Sequence, residues 1–172
     1  MFLSIKDMEI RKVRFDETFQ PGAIDFSDAE LRQVTPLHAE GFAVLLAHTD
    51  GEIRIRGRLQ VEMESECDRC LGPAFFPLSA DFDLFYRPMA SIAREEEVGI
   101  DESEAEIGFY EGAGLEVADI VKEQVLLNLP MQRICSEACK GICPICGSNR
   151  NESNCQCEVK PLDDRWKALR NL

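Results

Sequence analysis

Hydrophobic and polar residues alternate along the chain from Glu52 to Glu66. Ile53, Ile55, Leu59, Val61 and Met63 fall on one side, with Gly57 in the same series, while Glu52, Arg54, Arg56, Arg58, Gln60, Glu62 and Glu64 fall on the other. A period of two over this length predicts an antiparallel strand with one solvated face. Asp50-Gly51 is a hairpin turn signal and predicts a preceding strand over Phe42–His48. Phe76, Leu78, Ala80, Phe82, Leu84 and Tyr86 alternate with Ser79, Asp81 and Asp83, which predicts a third strand. The even spacing of Val13, Phe15 and Phe19 predicts another strand within residues 5–19, and Ile107–Tyr110 a short one. Residues 20–36, with Pro21, Gly22 and Pro36, read as loop with a short helix from Ser27.

Over residues 116–129 the period changes. Glu116, Asp119 and Glu123 share one helical face, Val117, Ile120, Val121, Val125, Leu126 and Leu129 cover the rest, and Pro130 ends the segment. A helix this apolar is expected to lie across the sheet and close its core. A last short helix is expected over Asp163–Asn171, with Trp166 and Leu169 turned back on the main body. The fold class expected is α+β. An antiparallel sheet, arranged as a meander or partial barrel and covered by one helix, occupies residues 1–130. A cysteine-rich, zinc-ribbon-like segment follows over residues 131–172.

That last segment holds few large apolar residues and six of the eight cysteines, so it cannot order itself by burial, and a metal is expected to do so. The cysteines come in close pairs: Cys67 with Cys70, Cys135 with Cys139, Cys143 with Cys146, and Cys155 with Cys157. Zinc takes four thiolates tetrahedrally, so four pairs make two four-cysteine sites with no open position, a structural rather than a catalytic arrangement. Cys143, Cys146, Cys155 and Cys157 form a local set whose loop is cheap to close. The Cys155/Cys157 pair is expected to lie in a turn rather than in a regular strand. Cys67, Cys70, Cys135 and Cys139 would then share the second ion and clasp the strand hairpin to the segment after the helix. A rival partition gathers Cys139, Cys143, Cys146 and Cys157 and leaves Cys67 and Cys70 free. The clasp is preferred because it leaves no thiol unassigned.

Composition narrows the setting. The N-terminal MFLSIKDMEI has no signal-peptide core, and no apolar run approaches the roughly 20 residues that span a bilayer, so a soluble cytoplasmic protein without a membrane partner is expected. In a reducing compartment, paired cysteines point to metal or redox chemistry rather than disulfides, and the Cys143-Pro-Ile-Cys146-Gly147 knuckle favours zinc over an iron–sulfur cluster. The net charge of −13, from 32 acidic and 19 basic residues, disfavours general nucleic-acid binding and suits a basic protein partner. The dense acidic run within residues 88–108 reads as a solvated loop or a docking surface for such a partner. The stripe Arg54, Arg56, Arg58 is expected to be consumed in cross-strand ion pairs.

Catalytic motifs are absent from the sequence. His38-Ala39-Glu40 resembles the HxE of zinc deaminases, but neither Cys67 nor Cys143 is preceded by the proline that motif requires. There is no Gly-rich phosphate loop and no GxSxG. No enzyme is expected.

Several segments together resemble the bacterial YceD family. They are Cys67-Asp-Arg-Cys70-Leu, the run Leu115-Glu-Val-Ala-Asp-Ile-Val-Lys-Glu-Gln124 continuing to Leu129-Pro130, the stretch Cys135-Ser-Glu-Ala-Cys139-Lys-Gly-Ile-Cys143-Pro-Ile-Cys146-Gly-Ser-Asn149-Arg-Asn151, and Asp164-Arg165-Trp166. The resemblance runs from about residue 36 to the end. It departs where the family's Asp-Pro-Arg is Asp163-Asp164-Arg165 and where its usual Leu between two asparagines is Arg150. It implies a non-enzymatic ribosome-biogenesis factor that supports accumulation or processing of large-subunit ribosomal RNA. Its expected partner is a basic large-subunit ribosomal protein or a pre-ribosomal particle. The alternative is a nucleic-acid-binding zinc ribbon that contacts ribosomal RNA directly through Lys140, Arg150, Lys160, Arg165, Lys167 and Arg170. A third reading is a thiol-redox switch in which oxidation expels the metal.

Overall fold

The computed structural model describes residues 1–91 and 107–157, and it divides into two compact units. The first comprises Met1–Ser65 and Phe75–Met131, and the second Glu66–Ala74 and Gln132–Leu172. The expected helix over Asp163–Asn171 and most of the acidic run, residues 92–106, lie outside the described residues.

The first unit is built on a six-stranded sheet. Strands β2 (Val13–Phe19), β4 (Leu37–Leu45), β5 (Ile53–Glu66), β6 (Pro73–Pro88) and β7 (Ile107–Tyr110) follow in the order β2-β4-β5-β6-β7, and β3 (Arg32–Gln33) pairs with β5 beside this path. A separate two-stranded sheet joins β1 (Phe2–Ser4) to β8 (Gly114–Glu116). Helix α1 is Ile5–Ile10 and helix α2 is Val117–Leu127. On α2 the buried residues Val117, Ile120, Val121, Gln124 and Val125 recur at the spacing of one helical face. The apolar ones join Ile53, Ile55, Leu59, Met63 and Phe82 of the sheet in one core.

The alternation of β5 appears as expected: Ile53, Ile55, Leu59, Val61 and Met63 are buried and the intervening arginines are not. Four differences from the expectation have physical causes. The sheet is mixed rather than wholly antiparallel, because β7 pairs parallel to β6, with Phe85 opposite Ile107 and Pro88 opposite Tyr110. Parallel neighbours need a crossover of a dozen or more residues, and the chain between these strands is long enough to supply one. Residues 5–10 form a helix rather than a strand, which turns Met8 into the core, and only Val13–Phe19 is extended. The first hairpin strand sits earlier, at Leu37–Leu45, and the Asp50-Gly51 signal lies inside a longer loop. Thr49 holds that loop: its hydroxyl donates to Leu46 O at 2.8 Å and accepts from Glu52 N at 3.1 Å. Finally, the β1–β8 pair carried no sequence signal.

On the outer face the arginine stripe is neutralised by the next strand rather than by the glutamates of its own. Arg54 forms a two-pronged bond to Asp83 at 2.8 and 2.7 Å, Arg56 reaches Asp83 at 3.2 Å, and Arg58 reaches Asp81 at 2.7 Å. Arg54 and Arg58 hold the Asp83 and Asp81 carboxyls below their usual range.

On the core face, Gly41 of β4 stands opposite Gly57 of β5. The rings of Phe15 and Phe82 lie over this pair, one over each glycine. A Cβ at Gly57 would fall 2.6 Å from the Phe82 ring and 2.7 Å from Glu40 O. The substitution Gly57→Ala therefore needs both a buried phenylalanine to move and the β4–β5 ladder to give beside Glu40 O. Its expected cost is about 1–3 kcal/mol, read as a lower urea midpoint at unchanged slope; an unchanged midpoint would show that ring and ladder give freely.

Among its described residues the second unit has almost no apolar core. Its buried cluster is Cys67, Cys70, Ala74 and Cys139, with Ile134 packed against it. Its backbone forms two knuckles of the same design. In the first, Cys67 N donates to Gly72 O at 2.7 Å and Leu71 N to Cys67 O at 2.9 Å. In the second, Cys143 N donates to Ser148 O at 2.8 Å and Gly147 N to Cys143 O at 2.9 Å.

Candidate metal centres

The first knuckle is the tip of the β5–β6 hairpin. The segment after α2 is tied to it by reciprocal bonds: Asp68 N donates to Arg133 O at 2.8 Å, and Arg133 N donates to Asp68 Oδ2 at 2.7 Å. Further on, Ile142 N donates to Arg69 O at 2.9 Å. Between these two ties the chain has no choice but to pass Cys135 and Cys139 beside Cys67 and Cys70. The sulfurs approach accordingly, Cys67 to Cys139 at 3.9 Å and Cys70 to Cys135 at 3.7 Å.

The second knuckle carries Cys143 and Cys146, and the chain returns through residues 147–154 to bring Cys155 and Cys157 against it. These last two lie outside any strand, in irregular chain rather than in the turn expected of them. The structure therefore gathers the eight thiols as Cys67, Cys70, Cys135, Cys139 and as Cys143, Cys146, Cys155, Cys157, with the sulfurs of each set all within 4.8 Å of one another. Cys139 stands in the first set, away from the rival grouping with Cys143, Cys146 and Cys157.

These distances discriminate between chemistries. A disulfide needs about 2.05 Å between sulfurs, and all eight cysteines are free. Four thiolates at 2.3 Å from a tetrahedral zinc would lie about 3.8 Å apart, which is the separation of the closest pairs here. These separations belong to the first set; the four sulfurs of each set lie close enough together to hold a metal ion.

The electrostatics of the bare thiols point the same way. Burial pushes the Cys67 thiol up, but N–H groups of Cys135, Arg69 and Cys70 outweigh it and bring it down to about 6. Its neighbour Cys135 is pushed up to about 12, chiefly by its hydrogen bond with Cys139 and then by burial. In the second set the Ser148 hydroxyl and backbone bring Cys146 down to about 6, while Cys157 is held up at about 12 by Cys146. Each set is split because sulfurs this close cannot all carry negative charge unaided. A dication in their midst removes the conflict and lets all four ionise.

Polar groups around the sulfurs complete the shell. Cys135 N donates to Cys67 Sγ at 3.3 Å, and the Asn151 amide donates to Cys139 Sγ at 3.4 Å. Sequence reasoning did not single out Asn151 or Ser148 as site residues. Their only signal was membership of the Cys135–Asn151 signature. His38, of the HxE mimic, instead bonds Asp16 on the neighbouring strand β2 at 2.9 Å and belongs to neither thiol set. No helix among the described residues is long and apolar enough to cross a membrane.

Comparison with known proteins supplies the context. The protein YlbN of Bacillus subtilis (strain 168), itself described as uncharacterized, is 23% identical over 169 residues, covering 98% of this chain and 92% of its own. A chloroplastic protein of Arabidopsis thaliana, described as large ribosomal RNA subunit accumulation protein YCED homolog 1, is 33% identical over 58 residues, which are 34% of this chain and 18% of that one. No solved structure matches. The family model described as "Large ribosomal RNA subunit accumulation protein YceD" matches residues 55–172, a span that contains all eight thiols and both knuckles. That description names an accumulation role and no reaction. By this match the chain belongs to the YceD family.

Proposed function

We propose that this protein is a non-enzymatic factor of ribosome biogenesis, supporting accumulation of large-subunit ribosomal RNA in the cytoplasm by holding a basic ribosomal protein or a pre-ribosomal particle. Its eight cysteines hold two structural zinc ions, Cys67, Cys70, Cys135 and Cys139 one of them, and Cys143, Cys146, Cys155 and Cys157 the other. The observation that carries this reading is the closure of each thiol set. Four sulfurs fill a tetrahedral ion, so neither site keeps a position for water or substrate. The ions serve to order a unit with little core of its own.

Charge supports the choice of partner. The chain carries −13 overall, and three arginines of its main strand are already occupied by Asp81 and Asp83. Such a surface attracts cations and repels phosphates. RNA contact through the C-terminal part remains the second reading, favoured by the exposure of Lys140 and Arg150. Lys160, Arg165, Lys167 and Arg170 lie outside the described residues.

Metal analysis is expected to find two zinc ions per chain. Cys67→Ser or Cys135→Ser should each lower the count to one, as should Cys146→Ser or Cys157→Ser. Chelation should unfold the second unit, since structural zinc supplies on the order of 10–16 kcal/mol of binding free energy at neutral pH. One ion in the unaltered chain would overturn the two-site assignment.

Affinity capture with zinc intact and at low salt is expected to recover a basic large-subunit ribosomal protein or a pre-ribosomal particle, with recovery falling as salt rises. Recovery of neither would sink the partner reading. Filter binding to naked ribosomal RNA, steeply weakened by salt, would transfer the proposal to the second one.

A further inference from the structure

The two thiol sets share a loop. Residues 147–154 leave Cys146 and return at Cys155, so closing the second set fixes both ends of the loop. It does not simply bridge its own two ends. Arg150 N donates to Gly141 O at 2.9 Å, and Asn149 forms a β-bridge with Ile142, which fastens the loop to the chain just after Cys139. Asn151 then reaches the first set itself.

Its amide uses both ends. The Oδ1 accepts from Lys140 N at 2.9 Å, and the Nδ2 donates both to Cys139 Sγ at 3.4 Å and to Asn149 Oδ1 at 2.9 Å. Asn149 Oδ1 also accepts from Asn151 N at 3.0 Å, and Asn149 Nδ2 donates to Glu152 Oε1 at 2.9 Å. The amide is therefore held on several sides before it touches sulfur. Cys139 Sγ lies 3.9 Å from Cys67 Sγ, so this donor acts on a thiol of the hairpin clasp from a loop organised by the other set.

We infer that Asn151 is a positioning residue for the first metal site and that through it the two sites bind metal cooperatively. An N–H donated to a coordinating thiolate disperses its charge and fixes its orientation, and such outer partners typically carry a 10–100-fold effect on metal affinity. Closing the second set holds the loop, the loop holds Asn149 and Asn151, and Asn151 presents its N–H to Cys139. Emptying the second set releases the loop and withdraws that donor. Linkage is reciprocal, so filling the first site favours the second by the same factor. The inference rests on the metal reading given above.

The test uses the full chain in zinc buffers, with alkylation of each cysteine read peptide by peptide, so that the two sets are followed separately. Asn151→Ala is expected to weaken protection of Cys67, Cys70, Cys135 and Cys139 about tenfold in free zinc. Asn151→Asp keeps the acceptor for Lys140 N but sets an oxygen against sulfur, and it should weaken that set further. The pair Cys155→Ser and Cys157→Ser should lower first-set affinity in the unaltered chain, and add nothing once Asn151 is alanine. Two results would overturn the inference: first-set protection unchanged in both Asn151 variants, or fully additive effects in the combined chain. Absence of zinc-dependent protection in the unaltered chain would be a different failure, since it would remove the metal reading and the inference with it.

Discussion

Four sulfurs within 4.8 Å of one another are stable as anions only around a cation, and the second unit is built on two such sets. Among the described residues its apolar contribution beside the thiols is Ala74 and Ile134. Hydrophobic burial at about 25 cal/mol per Å² cannot offset the ordering of so long a segment from so little surface. Backbone hydrogen bonds shape the knuckles but are formed equally well with water in the unfolded chain. In the proposed reading, metal–thiolate bonds would be the one term large enough to decide between order and disorder. The knuckles, the reciprocal Asp68–Arg133 ties and the 147–154 loop are the means by which eight sulfurs are delivered to two points.

The first unit is stabilised differently, which explains why its sequence reads so clearly. Strand β5 has one face on the core and the other turned to solvent, so its inward positions had to be apolar and its outward ones polar, and the alternation survives intact. Helix α2 meets the same core along one stripe, and its boundary fell within two residues of the expected one. The thiol partition was legible for a related reason. A CxxC can form a knuckle from local backbone alone, so the two CxxC pairs carry their own geometry and leave the other two to be shared between them. What the sequence left dark were features fixed by distant neighbours. The parallel entry of β7 is set by register with Phe85–Pro88, and Ile107–Tyr110 reads the same in either direction. The hairpin loop is lengthened by a single hydroxyl, that of Thr49. The cross-strand pairing expected of the arginine stripe was legible, and its partners are Asp83 and Asp81 of β6.

The two knuckles show how one backbone can be met by two sequences. Their hydrogen bonds correspond one for one, and both require a left-handed residue after the second cysteine. Gly147 fills that place at φ +72°, where nothing within 4 Å would touch an added Cβ, so its glycine answers to backbone conformation alone. Leu71 fills the other at φ +60° and is 60% exposed. An L-residue in that region costs roughly 1–2 kcal/mol, and an exposed side chain recovers little of it by burial. Such strain persists only where the surroundings over-determine the backbone. The first knuckle meets that condition: Asp68 and Arg69 are both pinned by the segment after α2, through Arg133 and Ile142. Among the described residues no backbone bond reaches Pro144 or Ile145, the corresponding positions of the second. The clasp is thus held from outside and can carry a strained residue, whereas the second knuckle stands on its own turn and needs glycine to make it.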